Sequence, residues 1–389
     1  MALMTLTRQN AVRFIVAIGI VSLFADFCYE GARSITGPYL AQLGATAAIV
    51  GLVSGFGELV GYTLRLASGA WADRTRAYWP LVIAGAIVNL GAVPMLALAG
   101  RWETAALLII AERAGKGLRT PARDVMLSAA ASATGRGWGF TLHEALDETG
   151  ALLGPLAVAA VLHATGRYQS AFAMLAIPFG ASLAALLTAR VWFPRPQEFE
   201  RRATAAGNGA EPRLFWFYVA AGALLGFGVL DFPLIAFHLA TTHVMAAAAI
   251  PLLFAVANGS DALLLPAFGK AWDRFGAPAL VTGVVLCAAS APLVLLGGSG
   301  AAIAGMVCWG AGLGAHQSLI RAGISESVPV ERRGKAFGIY NTIYGLAWFA
   351  GSATAGLLYG VHRPAVAALC SIAQLAAVPL LLYAARRVD

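Results

Sequence analysis

The stretch RGWGFTLHEALDETGALLG occupies residues 136–154, and RGKAFGIYNTIYGLAWFAG at 333–351 aligns with it without a gap. A second pair, GAWADRTR at 69–76 and GKAWDRFG at 269–276, lies at nearly the same offset. Two separate matches at nearly one offset indicate an internal duplication. The sequence therefore predicts two related halves that share one order of structural elements.

Outside these stretches the chain is dominated by long apolar runs. Of its 389 residues, 59% are hydrophobic and 12% are charged, and the mean hydropathy is +0.74. Soluble domains have about 45–50% apolar and about 25% charged residues. The runs are continuous rather than alternating, which favours membrane-spanning helices over a β-barrel. We therefore predict an all-α integral membrane protein with twelve transmembrane helices in two pseudo-symmetric six-helix bundles. The predicted spans are residues 11–40, 46–72, 77–99, 103–128, 137–163, 168–192, 214–241, 244–268, 278–298, 301–325, 335–360 and 364–386.

The longest polar segment, residues 193–213, is predicted to be a cytoplasmic linker between one bundle at 1–192 and another at 214–389. Lys and Arg residues concentrate in this linker and in alternate loops. The opposite loops carry Arg101, Arg167 and Arg363. This asymmetry predicts a multi-pass protein of the inner (plasma) membrane with both termini in the cytoplasm. Because the net charge of +8 follows the loops and forms no stripe, no nucleic-acid partner is predicted.

Four short motifs lie in the predicted loops and helices, two of them in the equivalent loops of the two halves. The loop motif G-x-x-x-D-R-x-G is complete in the second half and carries Arg76 in place of its last glycine in the first half. Its residues are Gly69, Asp73 and Arg74, then Gly269, Asp273, Arg274 and Gly276. The fourth helix carries R-x-x-x-G, and the fifth carries G-x-x-x-G-P. These residues are Arg113, Gly117, Gly150, Gly154 and Pro155.

With these motifs the chain resembles the major facilitator superfamily over nearly its whole length. The resemblance implies a secondary transporter, and the fifth-helix motif is similar to one associated with antiporters, which favours export. The Asp-Arg pairs of the two loops are predicted to act as a gate, or alternatively only to fix topology. Gly150, Gly154 and Pro155 of the fifth helix are predicted to allow close helix contact and a bend, or alternatively to serve plain packing.

Ionisable residues inside the predicted spans are concentrated in the first half. Such a residue costs about 2.5–3.5 kcal/mol at a helix centre on insertion scales, so each is a candidate functional residue. Asp26 and Glu30 are four residues apart and share one face of the first helix, with Arg33 a further turn away. Burial favours the neutral form of a carboxyl group and a nearby arginine favours the charged form. Asp26, Glu30 and Glu58 are therefore candidate proton-coupling residues, or members of structural salt bridges with Arg33 or Arg65.

The fourth helix has Glu112, Lys116, Arg119 and Arg123 along one stripe, with Arg113 beside it. This basic stripe suggests an anionic substrate. The alternative is that it neutralises the acidic residues of the neighbouring helices.

On the fifth helix, His143, Glu144 and Asp147 fall one residue short of the zinc-protease signature H-E-x-x-H. They are predicted to form a proton relay or a buried pair with the fourth helix. The alternative is that they and Asp26 bind a divalent metal ion, such as nickel, cobalt or zinc, as the exported substrate.

The second half has fewer ionisable residues and more aromatic and amide groups. Tyr340, Asn341 and Tyr344 stand where the first half has His143, Glu144 and Asp147. Together with Asp231 and His316 they are candidate substrate contacts, although aromatic residues of membrane helices also serve as packing and interfacial anchors.

The leading prediction is a proton-coupled antiporter that exports a small organic molecule, works as a monomer in the lipid bilayer and holds no cofactor. No P-loop is present, so ATP is not expected to drive this chain. A membrane-embedded enzyme is the second class, but neither G-x-S-x-G nor H-E-x-x-H occurs. A non-transporting sensor with a transporter fold is the third.

Overall fold

The computed structural model describes residues 8–134, 136–199, 212–329 and 332–385. In these residues fifteen α-helices follow one another, joined by short turns and a few 3-10 segments. Their bounds are α1 Arg8–Gln42, α2 Ala47–Thr75, α3 Tyr78–Met95, α4 Trp102–Thr134, α5 Arg136–Thr165, α6 Tyr168–Met174, α7 Ala176–Trp192, α8 Pro212–Gly228, α9 Phe232–Thr241, α10 Ile250–Phe275, α11 Ala277–Leu296, α12 Ser299–Ser327, α13 Arg333–Tyr359, α14 Arg363–Leu375 and α15 Val378–Ala385.

Three pairs of these helices are single predicted spans that are interrupted near a proline. Pro178, Pro233 and Pro379 each lie four or five residues after the end of the preceding helix. Proline lacks the amide hydrogen and its ring clashes with the carbonyl four residues earlier. Counting α6–α7, α8–α9 and α14–α15 as one span each leaves twelve helical segments among the described residues, which confirms the predicted number.

Nine of the twelve described segments are long and apolar enough to cross a membrane by composition alone. The other three are α4, α12 and α13. The row of ionisable side chains lowers the hydropathy of α4, while glycine and polar residues do so in α12 and α13. Composition alone therefore understates the number of spans where function or close packing requires polar or small residues.

The chain divides into two compact units. The first unit contains the described residues of Met1–Ile35 and Val60–Thr204, and the second contains those of Thr36–Leu59 and Ala205–Asp389. The carboxyl-terminal end of α1 and the first half of α2 thus belong to the second unit. Within that unit Phe56 of α2 makes an edge-on ring contact with Phe349 of α13, with 5.9 Å between centroids.

The first part of the predicted linker packs onto the first unit. Phe193 and Phe199 are buried, and their ring centroids lie 5.4 Å and 6.2 Å from that of Phe14 on α1. The indole nitrogen of Trp79 donates a 3.1 Å hydrogen bond to the Phe193 carbonyl. Helix α8 already begins at Pro212, and residues 200–211 of the linker lie outside the described residues.

Close backbone contacts hold the helices of each unit together. In the first unit Gly154 of α5 lies against the Phe27 carbonyl of α1, and a Cβ on Gly154 would also lie 3.0 Å from the Gly31 nitrogen. Gly150 meets the Leu23 carbonyl one turn earlier. A side chain at either position would push the two helices apart, so these glycines allow α1 and α5 to touch.

Candidate functional site

The paired carboxylates of α1 lie on one buried face of the first unit. Asp26 and Glu30 expose 14% and 13% of their side chains. The Asp26 Oδ1 atom lies 3.9 Å from Arg119 Nη2 on α4, and Glu30 Oε2 lies 3.9 Å from Arg33 Nη1. Asp26 is therefore joined to the fourth helix, whereas Glu30 has its ion pair on its own helix.

Glu112 of α4 is bound by Asn89, a polar residue that no sequence motif indicated. The amide nitrogen of Asn89 on α3 donates hydrogen bonds of 2.6 Å to Glu112 Oε1 and 2.9 Å to the Glu112 carbonyl. Arg113 Nε lies 3.5 Å from Glu112 Oε2, and all three residues are buried. A lone asparagine inside an apolar run was the available signal.

The ring of Tyr29 on α1 makes cation–π contacts with two side chains of α4. Lys116 Nζ lies 3.5 Å and the Arg113 guanidinium carbon 4.8 Å from the centroid of its buried ring. On α2 the guanidinium of Arg65 lies 5.0 Å from the centroid of the Tyr62 ring. Aromatic faces attract cations through the ring quadrupole, so these contacts fix the positions of the cations.

The α5 residues that were predicted together point to different surroundings. His143 is buried, and its Nε2 shares a 2.9 Å hydrogen bond with Ser22 Oγ of α1, which also accepts a 3.3 Å bond from Arg123 Nη1. Glu144 is exposed and Asp147 is half-buried. The described residues contain no group of three or more His, Cys, Asp or Glu side chains that could hold a metal ion.

Glu58, the remaining acidic candidate of the first half, is half-buried on α2. It falls within Thr36–Leu59 and so belongs to the second compact unit. Asp26 belongs to the first unit.

The second unit has an aromatic ladder along α13. The rings of Tyr340 and Tyr344 stack with 5.6 Å between centroids, and Tyr344 meets Trp348 edge-on at the same distance. The Tyr344 hydroxyl lies 3.3 Å from His316 Nε2 of α12. Asn341 is half-buried beside this ladder in sequence. The structure therefore brings three of the predicted residues, Tyr340, Tyr344 and His316, into one cluster.

Asp231 lies at the interruption between α8 and α9. It is buried, and its carbonyl accepts bonds from the first amides of α9. Two neighbouring carbonyls released by the break are satisfied by side chains: Gln374 Nε2 donates 2.8 Å to Gly228, and Trp309 Nε1 donates 2.9 Å to Leu230. The break is thus stabilised by α14 and α12.

The loop motifs occupy the ends of α2 and α10, in the last turns of these helices. Asp73 and Arg74 are exposed, as are Asp273 and Arg274. Their glycines Gly69 and Gly269 lie a turn earlier. Gly276 has a φ of 63°, and Arg76 takes almost the same value, 53°. Arginine at the place of the usual glycine therefore keeps the left-handed turn, although this conformation strains a side-chain-bearing residue.

Known proteins share both the sequence pattern and the fold. Residues 18–352 match the family model of the Major Facilitator Superfamily. An uncharacterized protein of Mycobacterium tuberculosis is 42% identical over 359 residues, which are 90% of this chain and 88% of that protein. An uncharacterized MFS-type transporter of Methanocaldococcus jannaschii is 30% identical over 137 residues, covering 35% and 34% of the two chains.

Solved transporter structures resemble the whole chain. A POT family transporter in complex with 5-aminolevulinic acid has a TM-score of 0.76 at 13% identity, covering 95% of each chain. The nucleoside transporter NupG has a TM-score of 0.73 at 13% identity, covering 96% of this chain and 98% of its own. With the family model matched over most of its length, this chain belongs to the Major Facilitator Superfamily of secondary transporters.

Proposed function

We propose that the chain is a proton-coupled antiporter that exports a small organic molecule across the inner membrane by alternating access. Both termini are cytoplasmic in this proposal, and protons entering the cell drive the export. The proton site is the buried pair of Asp26 and Arg119.

The observation that carries the proposal is the geometry of this pair. The two side chains are 14% and 3% exposed, and their charged atoms are 3.9 Å apart on different helices. A charge that deep in a membrane protein requires a partner. Protonation of Asp26 would cancel the attraction and leave Arg119 without its counter-charge, so the two helices would favour another arrangement. Proton binding and helix movement are thereby linked.

A chain of hydrogen bonds lies on the same face and supports a proton relay. Ser22 connects His143 with Arg123 over 2.9 Å and 3.3 Å. Asp147 lies one turn after His143 on α5 and interacts electrostatically with Asp26. We assign proton transfer to His143 and Asp147, and organic-substrate contacts to the Tyr340–Tyr344 ladder.

Two further points favour an organic substrate and export. Structures with the same fold have been solved as peptide and nucleoside transporters, one of them in complex with 5-aminolevulinic acid. The motif of Gly150, Gly154 and Pro155 resembles that of antiporters. Export of a divalent metal has no support from a cluster of ligands among the described residues.

The proposal is tested with everted membrane vesicles that carry the protein and an imposed pH gradient. A panel of organic compounds and metal salts is added, and dissipation of the gradient is followed with a pH-sensitive dye. The wild-type protein should dissipate the gradient with at least one organic compound, and Asp26→Asn should abolish this coupled flux.

The matched control is Glu103→Gln, because Glu103 is an exposed residue of the same unit whose ion pair with Arg101 is also exposed. Its vesicles should behave as wild type. Unchanged coupled flux in correctly inserted Asp26→Asn, or a response to metal salts alone, would contradict the proposal.

A further inference from the structure

The buried ion pairs of α1 and α4 leave one cation of the basic stripe without a direct counter-ion. Arg119 pairs with Asp26, Arg113 with Glu112, and Arg123 lies 3.0 Å from Asp124 on the same helix. Lys116 lies in the middle of this stripe and is half-buried. Among the described residues no carboxylate oxygen comes within 4.0 Å of its amine. The three arginines thus have a carboxylate within 4.0 Å, whereas the charged amine of Lys116 contacts the ring of Tyr29.

Arg65 of α2 is the second cation of this kind. It is half-buried, and its Nε has no hydrogen-bond partner in the part of the chain that the structure describes. No carboxylate in those residues forms an ion pair with it. Like Lys116 on Tyr29, Arg65 lies over an aromatic ring, that of Tyr62.

A cation–π contact differs from an ion pair in what it leaves behind. The ring attracts the cation through its quadrupole but carries no net charge. The rings of Tyr29 and Tyr62 therefore hold Lys116 and Arg65 in place without neutralising their charge. Because an unneutralised charge in a spanning helix is costly, its presence indicates a ligand of opposite sign.

Helix packing places the two cations side by side. Gly117 of α4 lies against Gly61 of α2, and a Cβ on Gly117 would be 2.6 Å from the Gly61 carbonyl. Two turns after Gly61, the Ser68 hydroxyl donates a 2.9 Å bond to the Gly117 carbonyl. Arg65 lies between these two α2 contacts, and Lys116 is the residue before Gly117. Both cations accordingly interact with each other electrostatically.

We propose that Lys116 and Arg65, positioned by the rings of Tyr29 and Tyr62, bind the anionic group of the transported molecule. The substrate class is then an organic anion such as a carboxylate, sulfonate or phosphonate. Charge-assisted bonds from Lys and Arg are the strongest hydrogen bonds available to such groups. Asp26 and Glu30 also lie within electrostatic range of Lys116. The carboxylate of Asp26 lies 3.9 Å from Arg119, and that of Glu30 lies 3.9 Å from Arg33.

This inference rests on the proposed transport function and is tested by binding rather than flux. Thermal unfolding of the purified protein in nanodiscs is measured with benzoate and phenylphosphonate, and with benzamide and benzylamine as neutral and cationic analogues. Only the two anions should raise the melting temperature. Lys116→Gln and Arg65→Gln should each weaken anion binding about tenfold to about hundredfold, the value of one charged hydrogen bond.

Lys116→Arg should retain anion binding because it retains the charge. Lys270→Gln, the same change at an exposed lysine of the second unit, should bind as wild type, and the elution profile of each variant on size exclusion reports folding. The inference is overturned if benzamide or benzylamine stabilises the protein as well as benzoate does, if neither anion stabilises it, or if both glutamine variants keep wild-type affinity. Anion binding without proton-coupled flux would instead contradict the proposed function alone.

Discussion

The two units share the contacts that hold their helices together. In the first unit Gly154 of α5 rests on the Phe27 carbonyl of α1, and in the second Gly351 of α13 rests on the Phe227 carbonyl of α8. The residues of each pair differ by the offsets that the sequence repeat predicts. The duplication is therefore visible as a repeated backbone contact within each unit.

A second pair of contacts shows where the units diverge. Gly115 of α4 packs on Asn89 of α3, and Gly312 of α12 packs on Cys287 of α11. Both units have glycine at this position because the helix backbones touch there. Their partners are free to change: Asn89 binds a buried carboxylate, while Cys287 is a small buried side chain.

By the same offset, Arg119 of the first unit is equivalent to His316 of the second. Arg119 faces Asp26 in an ion pair, whereas His316 faces the hydroxyl of Tyr344. The duplicated frame thus carries charged pairs in one unit and neutral aromatic contacts in the other. The repeated helix packing determines the position of such a residue, and the residue type found there determines whether the contact is charged or neutral.

The largest expected difference in stability between the units comes from replacing Arg119 in the first and its equivalent, His316, in the second. Arg119→Gln leaves Asp26 as a buried charge without its partner and should cost about 3–5 kcal/mol of stability. His316→Gln removes one neutral hydrogen bond and should cost about 0.5–1.5 kcal/mol. Unfolding in a fixed detergent measures both.

The Arg119→Gln loss should shrink as the pH falls, because protonation of Asp26 removes the unpaired charge. Equal losses in the two variants, or a loss in Arg119→Gln that does not depend on pH, would contradict the contrast between a charged pair at Arg119 and a neutral contact at His316.

The repeated glycine contacts predict that equivalent substitutions in the two units lower stability by equal amounts. Gly154→Ala and Gly351→Ala each bring a Cβ onto a neighbouring backbone carbonyl and should cost about 1–3 kcal/mol. Gly180→Ala is the control, because open space surrounds Gly180 in α7 and alanine favours a helix by about 0.5–1 kcal/mol over glycine. Melting temperatures of the three variants suffice. A harmless change at one of the two contacts would show that the frame is not repeated.

The sequence predicted the number of helices and the repeat because both depend on local patterns. Apolar runs of about 20 residues define spans, and motif spacing defines the duplication. The interruption of the seventh span at Asp231 was missed, although Pro233 was its signal, since other prolines such as Pro155 lie inside intact helices. Whether a proline breaks a helix depends on whether neighbours such as Gln374 satisfy the freed carbonyls.

Partners of the candidate residues could be predicted only in part. The spacing of Asp26 and Glu30 placed both on one face, and the structure agrees. That Asp26 meets Arg119 rather than Arg33 or Arg65 depends on how α1 and α4 pack, which no local pattern contains. Asn89 was visible as a lone polar residue in an apolar run, but its contact with Glu112 depends on how α3 and α4 pack.

The smallest loss of stability is expected at the aromatic ladder of the second unit. Tyr344→Phe keeps the ring, which stacks on Tyr340 and meets Trp348 edge-on. It removes the hydroxyl that lies 3.3 Å from His316. A neutral hydrogen bond of this kind contributes about 0.5–1.5 kcal/mol, so the melting temperature should fall slightly and substrate flux should persist. Tyr383→Phe, at an exposed ring, provides the baseline. If Tyr344→Phe abolished coupled flux as completely as Asp26→Asn, the hydroxyl would belong to the proton pathway, and the proposed proton transfer would involve both units rather than the first alone.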